Sequence, residues 1–199
     1  MFYTHRRLSA AVDIFEFYRV ASRLKGVRRA GWVRKIPSVD VESVADHSLM
    51  AAMLSLVLAE DAGLDAHRCA AMAVVHDLAE SVVGDLLPDE VPQDEKHARE
   101  RAAIDSIAES LGGSDVLLSL YSEYDAGTSD EARLVHQVDK LEMALQAISY
   151  YMDGILARDD ACEFVEGALR YISDRALIEH IRGALRSSGL GCIHVDMTG

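Results

Sequence analysis

A chain of 199 residues is long enough for one sizeable domain with a closed core, and it holds no apolar run of the length needed to span a bilayer. Its formal net charge of −13 argues against nucleic acid or an anionic membrane as a bulk partner. The three cysteines, Cys69, Cys162 and Cys192, are scattered and show no CxxC spacing, which argues against a disulfide scaffold or zinc ribbon and favours a reducing cytoplasm.

The opening segment MFYTHRRLSAAVDIF has no continuous apolar region and does not read as a signal peptide. Leu8, Ala11, Val12, Phe15, Tyr18, Val20 and Leu24 instead predict a helix from about Tyr3 to Lys25, stopped by Gly26. Val27 to Val41 contains Gly31, Trp32 and Pro37, lacks a helical stripe and reads as an ordered loop. Between Glu16 and Asp40 there is no acid, yet Arg19, Arg23, Lys25, Arg28, Arg29, Arg34 and Lys35 all occur. This run is either a solvated basic helix end or a local phosphate site on an acidic protein. Trp32, the single tryptophan, is either a core anchor or a stacking surface for a base or sugar.

A second helix is predicted from Glu42 or Ser43 to Ala62, with Asp46 and His47 in its first turn. A third, from Ala66 to about Val83, is apolar enough to be buried on most of its surface. Inside it stand His76, Asp77 and Glu80. Buried charge needs a partner or a metal, and an imidazole beside a carboxylate suits a divalent transition metal; a hydrogen-bonded core histidine is the plainer alternative. The loop GDLLPDEVP follows, then a charged helix from Gln93 or Asp94 to Leu111 and a shorter one from Ser114 to Tyr124. Ser129 to about Ala157 predicts a long helix whose apolar stripe carries Asp139, a carboxylate that needs either a salt bridge to Lys140 or Arg133 or a place in a site. A last helical region covers about Cys162 to Arg186. The glycine-flanked tail after it is frayed or serves an oligomer contact. No segment shows clear strand alternation. The pattern is all-α, a bundle of about six or seven helices in one domain over 1–199, with its core at about 20–160 and a short tail at 187–199.

His47, His76-Asp77 and Asp139 follow the order H, HD, D, and two imidazoles with two carboxylates can hold one divalent ion while leaving positions for water and substrate. On these residues the chain resembles the HD-domain phosphohydrolase superfamily. The segments RLKGVRRAGWVRK, VESVADHS, VVHDLAESVVGDLLP, DEKHARE and QVDKLEMALQA are similar to its 5'-deoxynucleotidase branch, including the family called HD-domain-containing protein 2; the resemblance covers roughly Arg23 to Tyr151.

The resemblance implies a metal-dependent phosphomonoesterase that converts deoxynucleoside 5'-monophosphates to deoxynucleosides and phosphate. It implies a divalent metal (Mn, Co, Fe, Ni, Cu or Zn) at His47, His76, Asp77 and Asp139. A second cation, Mg, would lie at Glu80, Asp85 and the carbonyl of Leu86. Glu80 and Asp85 match two further acids of the branch: Glu80 to orient or deprotonate the attacking water, Asp85 to position it or to protonate the leaving oxygen. Arg29 matches the arginine that meets the substrate phosphate, with Arg34 or Lys35 as helpers. The resemblance also implies a cytoplasmic homodimer. One position departs from the pattern: some bacterial members carry tryptophan directly after that arginine, where this chain has Ala30. A ring that excludes a ribose 2'-hydroxyl must then come from Trp32. Two other readings stand beside this one: another HD chemistry, such as a nucleotide phosphodiesterase or triphosphohydrolase, and a metal-stabilised binding protein without turnover.

Overall fold

A computed structural model describes residues 13–192; the predicted helical start from Tyr3 to Val12 and the last residues of the tail lie outside the described residues. The helices, in chain order, are α1 Ile14–Ala21, α2 Ala30–Lys35, α3 Val44–Asp61, α4 Ala66–Val75, α5 Glu80–Val83, α6 Gln93–Ser110, α7 Asp115–Ala126, α8 Asp130–Met152, α9 Arg158–Leu169 and α10 Arg175–Ser188; a 3-10 turn, Ser22–Lys25, follows α1. Seven of them reach ten or more residues; of the short ones, α1 lies within the predicted first helix, α2 in the predicted loop and α5 at the end of the predicted central helix.

Helix α8 is the axis. Its apolar face buries Leu134, Val135, Val138, Leu141, Ala144, Ala147 and Ile148 against α3, α4, α9 and α10. A second core gathers Leu24, Val44, Leu78, Ile104, Ile107, Leu117 and Tyr121 between the 3-10 turn, α6 and α7. A buried aliphatic side chain contributes roughly 1.5–3 kcal/mol by its removal from water, so these two clusters hold the helix ends that meet between them.

Three boundaries differ from expectation, each with a local cause. The central helix is not continuous to Val83: it stops at Val75, and residues 76–79 form turns before α5 resumes. The stretch expected to be a loop contains α2, whose start is pinned by an antiparallel bridge between Arg28 and Ser43 and by the Arg29 N–H donating to the Glu42 carbonyl at 3.2 Å. The last helical region is two helices separated at residues 170–174, with Asp174 accepting the N–H groups of Ala176 and Leu177 to begin α10.

The cysteines require a correction. Cys162 of α9 and Cys192 beyond α10 form a disulfide, and only Cys69 is free and buried. A thirty-residue separation gives no spacing signal, because the pairing depends on how α10 folds back. The start of the tail is also not frayed: Leu190 and Cys192 are buried.

Helix α3 begins with a reciprocal cap. The Ser43 hydroxyl accepts from the Asp46 N–H, and the Asp46 carboxylate accepts from the Ser43 N–H at 2.8 Å. This sets the first turn, in which His47 lies. Replacing Ser43 by Ala should destabilise the fold by about 1 kcal/mol, read as a lower midpoint in chemical denaturation.

Candidate metal and phosphate site

The turn at 76–79 gives the site its geometry. At the end of α4 the His76 Nδ1 lies 2.7 Å from the Ala73 carbonyl, which can only accept; Nδ1 therefore donates, and Nε2 is left with its lone pair. His76 is buried, and this Nε2 has no hydrogen-bond partner. The same is true of His47 Nε2, in a residue with no exposed surface. Both nitrogens face Asp77 Oδ2, His76 at 3.2 Å and His47 at 3.7 Å. Asp139 Oδ1 lies 3.2 Å from His47 Nε2, close but not aligned as a hydrogen bond.

An orphaned buried acceptor is costly, and two of them aimed at carboxylate oxygens form a donor set that lacks its acceptor of electron pairs. His47, His76 and Asp77 offer one ligand atom each within 4.8 Å of one another. Two imidazoles and carboxylates suit a borderline divalent ion, so the residues present fit the metal that the sequence pattern implies. Asp139 makes the salt bridge to Lys140 and also faces the cluster. Its Oδ2 takes the Lys140 ammonium at 2.9 Å while Oδ1 faces His47.

The local field is strong. Burial pushes Asp77 up, but His76, Arg29 and His47 outweigh it and hold the carboxyl well below its usual range. Burial also pushes Asp139 up, and Lys140 and His47 reverse it. His47 is lowered by burial and by Arg29, yet Asp139 and Glu142 carry it up to about 9, so a metal that binds Nε2 must displace a proton there. Glu80 goes the other way. It is buried, Asp77 and Asp85 repel its charge, and its carboxyl is raised well above the usual range.

Arg29 stands at the rim of this group. Its Nη1 is 3.4 Å from Asp77 Oδ2 and 3.8 Å from Asp85 Oδ2, and it lines a cleft of about 440 Å³ together with His76, Asp77, Asp85 and Asp139. Gly84, at φ +80° and ψ 168°, turns the chain out of α5 in a conformation open to glycine, which brings Asp85 back under α2. There Asp85 Oδ2 accepts the Ala30 N–H at 2.8 Å, one of the free donors at the start of a helix.

Other expected residues are placed differently. Arg34 is exposed, makes two 3.0 Å hydrogen bonds to Asp89, and is outside the cleft lining; Lys35 pairs with Asp160 and Glu163. The basic run is therefore mostly surface ion pairing, and Arg29 alone of its arginines and lysines reaches the cleft. Trp32 borders the cleft but is 2% exposed, with Phe164 and Tyr150 against its ring and its indole N–H on Glu42 Oε1 at 2.6 Å. It is first a core anchor, and little of its ring is free to stack on a ligand. The Leu86 carbonyl already accepts from the Lys96 ammonium at 3.0 Å, and Asp85 is engaged by α2. A second cation at Glu80, Asp85 and Leu86 would have to displace a cation that the chain itself supplies.

The sequence reading missed Glu142 and Lys96. Glu142 is buried within the apolar stripe of α8, three residues after Asp139, and an acid at that spacing was the available signal.

Comparison with known proteins gives the family. A family model described as "HD domain" matches residues 21–176. The 5'-deoxynucleotidase HDDC2 of Homo sapiens is 40% identical over 143 residues, covering 70% of this chain and 69% of that protein. The 5'-deoxynucleotidase hdd1 of Schizosaccharomyces pombe is 37% identical over 147 residues, 70% of this chain and 73% of that protein. Among solved structures, a conserved hypothetical protein from Pyrococcus furiosus superposes with a TM-score of 0.67 at 31% identity, over 85% of this chain and 99% of that one. The chain belongs to the HD-domain family, within the group that holds these proteins named 5'-deoxynucleotidase.

Proposed function

We propose that this protein is a metal-dependent 5'-deoxynucleotidase, hydrolysing deoxynucleoside 5'-monophosphates to deoxynucleosides and phosphate. The observation that carries the reading is the pair of buried, unpartnered imidazole nitrogens facing Asp77 and Asp139, with the Arg29 guanidinium on their rim. Relatives named for this activity, at 34–41% identity, support the substrate class.

His47, His76, Asp77 and Asp139 would hold a divalent ion, which when bound lowers the pKa of water and polarises a phosphoryl oxygen. Arg29 binds the phosphate. Its donors now rest on Asp77 and Asp85 and transfer to phosphoryl oxygens, whose charge they offset as the water oxygen bonds to phosphorus and the bond to the 5'-oxygen breaks. Glu80 is the proton carrier, because burial and its two acidic neighbours favour its protonated form. Asp85 aims Arg29 by holding the Ala30 N–H. Glu80 would give its proton to the leaving 5'-oxygen and take up the proton lost by the attacking water, which leaves deoxynucleoside and hydrogen phosphate. Discrimination against a ribose 2'-hydroxyl falls to the cleft wall of which Trp32 is a mostly buried part.

We read the chain as one domain and as a homodimer. Helix α3 presents Leu49, Met50, Met53, Leu56 and Val57, each at least 43% exposed, as a continuous apolar stripe, and a second copy would cover it. Among the described residues no helix is long and apolar enough to cross a membrane. A cytoplasmic setting fits the nucleotide substrate; the Cys162–Cys192 bridge withdraws the support that cysteine usage lent it.

Three outcomes are expected. Metal-stripped protein should gain about 2.7 kcal/mol of stability from Mn at a hundred times its dissociation constant, seen as a higher melting temperature, and Asp77→Ala should abolish that gain. With Mn or Co, the protein should release phosphate from deoxynucleoside monophosphates faster than from their ribose counterparts, and Arg29→Ala should lower kcat/KM on the order of 100-fold. Equal rates on both sugars would remove the selectivity, and release of pyrophosphate or triphosphate would move the reading to another HD chemistry. Light scattering should give twice the chain mass, and Met53→Asp should halve it.

A further inference from the structure

His47 is used at the metal through Nε2, and its other ring nitrogen is also engaged. Nδ1 lies 2.5 Å from Glu142 Oε2, and both side chains are buried. Glu42 completes a second group here: Glu42, His47 and Glu142 offer ligand atoms within 4.8 Å of one another. Such a group has two physical uses, a cation of its own or a brace for His47.

The contacts favour the second use. His47 Nδ1 and Glu142 Oε2 are already partners at 2.5 Å, and neither is among the buried polar atoms left without a hydrogen bond, whereas His47 Nε2 is. Glu42 is committed elsewhere: its Oε1 accepts the Trp32 indole N–H at 2.6 Å, its N–H donates to the Tyr150 hydroxyl at 2.9 Å, and its carbonyl accepts the Arg29 N–H. His76 is oriented by a backbone carbonyl at Nδ1, and His47 has no such carbonyl; Glu142 stands in that place.

We propose that Glu142 is the positioning residue of the metal centre: it takes the His47 Nδ1–H, fixes the tautomer with its lone pair on Nε2, and raises the basicity of that ligand. It acts through His47 and touches neither metal nor substrate. Because α8 carries both Glu142 and Asp139, one turn of one helix sets a ligand and the brace of another ligand. The inference rests on the metal reading of the site, but not on the substrate.

The test is direct titration of the full-length, metal-stripped protein with Co, followed by calorimetry and by the visible absorption of the bound ion, without substrate. Glu142→Gln should bind Co about 10–100-fold more weakly, at an unchanged stoichiometry of one, with an altered absorption band. Phosphate release should recover when Co is raised to saturation. Glu142→Asp should fall between the two, and it carries the test if Glu142→Gln does not fold. Affinity within twofold of the parent in either folded variant would overturn the proposal, as would a merely lower melting temperature of the metal-free protein. Two ions bound by the parent and one by Glu142→Gln would also overturn it, in favour of a separate cation site. Failure to hydrolyse deoxynucleotides would leave this titration standing, so the two readings fail separately.

Discussion

The structure is organised by four acids held close together away from water, each of which must be answered at close range. Asp77, Glu80, Asp85 and Asp139 converge beneath one cleft, with Arg29 and Lys140 as the near cations and the Nε2 atoms of two buried imidazoles without hydrogen-bond partners. Such a cluster cannot stay charged in a low-dielectric interior without compensation. A divalent ion bound there would supply two charges and meet both nitrogens in one step, which would link metal binding to the stability of this part of the fold.

Each helix contributes to that problem through a break or a cap. The reciprocal Ser43–Asp46 cap sets the first turn of α3 and so the position of His47. The interruption after Val75 lets His76 turn its Nδ1 onto Ala73 and its Nε2 into the site. The glycine turn at Gly84 returns Asp85 beneath α2. Regular helix would carry these side chains past one another at 3.6 residues per turn. The deviations bring them together, and the two apolar clusters on either side hold the deviations in place.

The same economy explains why the basic run brings one arginine to the cleft. Arg34 and Lys35 lie at the end of α2 and find acids on exposed neighbours, while Arg29 precedes that helix and is drawn inward by the bridge to Ser43 and Glu42. Exposed pairs of the first kind contribute little stability, because water screens them. The buried pairing of Arg29 with Asp77 and Asp85 is of another kind, since a phosphate can replace the carboxylates without leaving the guanidinium unpaired.

Sequence alone indicated the all-α class, most of the longer helices and the H, HD, D set of His47, His76, Asp77 and Asp139, because helical periodicity is local and because charged residues inside apolar stripes are too costly to be incidental. It also indicated Arg29, Glu80 and Asp85 through family pattern. Tertiary structure decided the rest. Whether Trp32 reads a ligand or anchors the core depends on Phe164 and Tyr150, which arrive from helices more than a hundred residues away. Whether Leu86 can receive a cation depends on Lys96 from α6. The Cys162–Cys192 pairing depends on the return of α10, and the significance of Glu142 appears only when α3 places His47 Nδ1 against it. Each of these is a meeting of distant segments, and no spacing along the chain encodes the distance at which they meet.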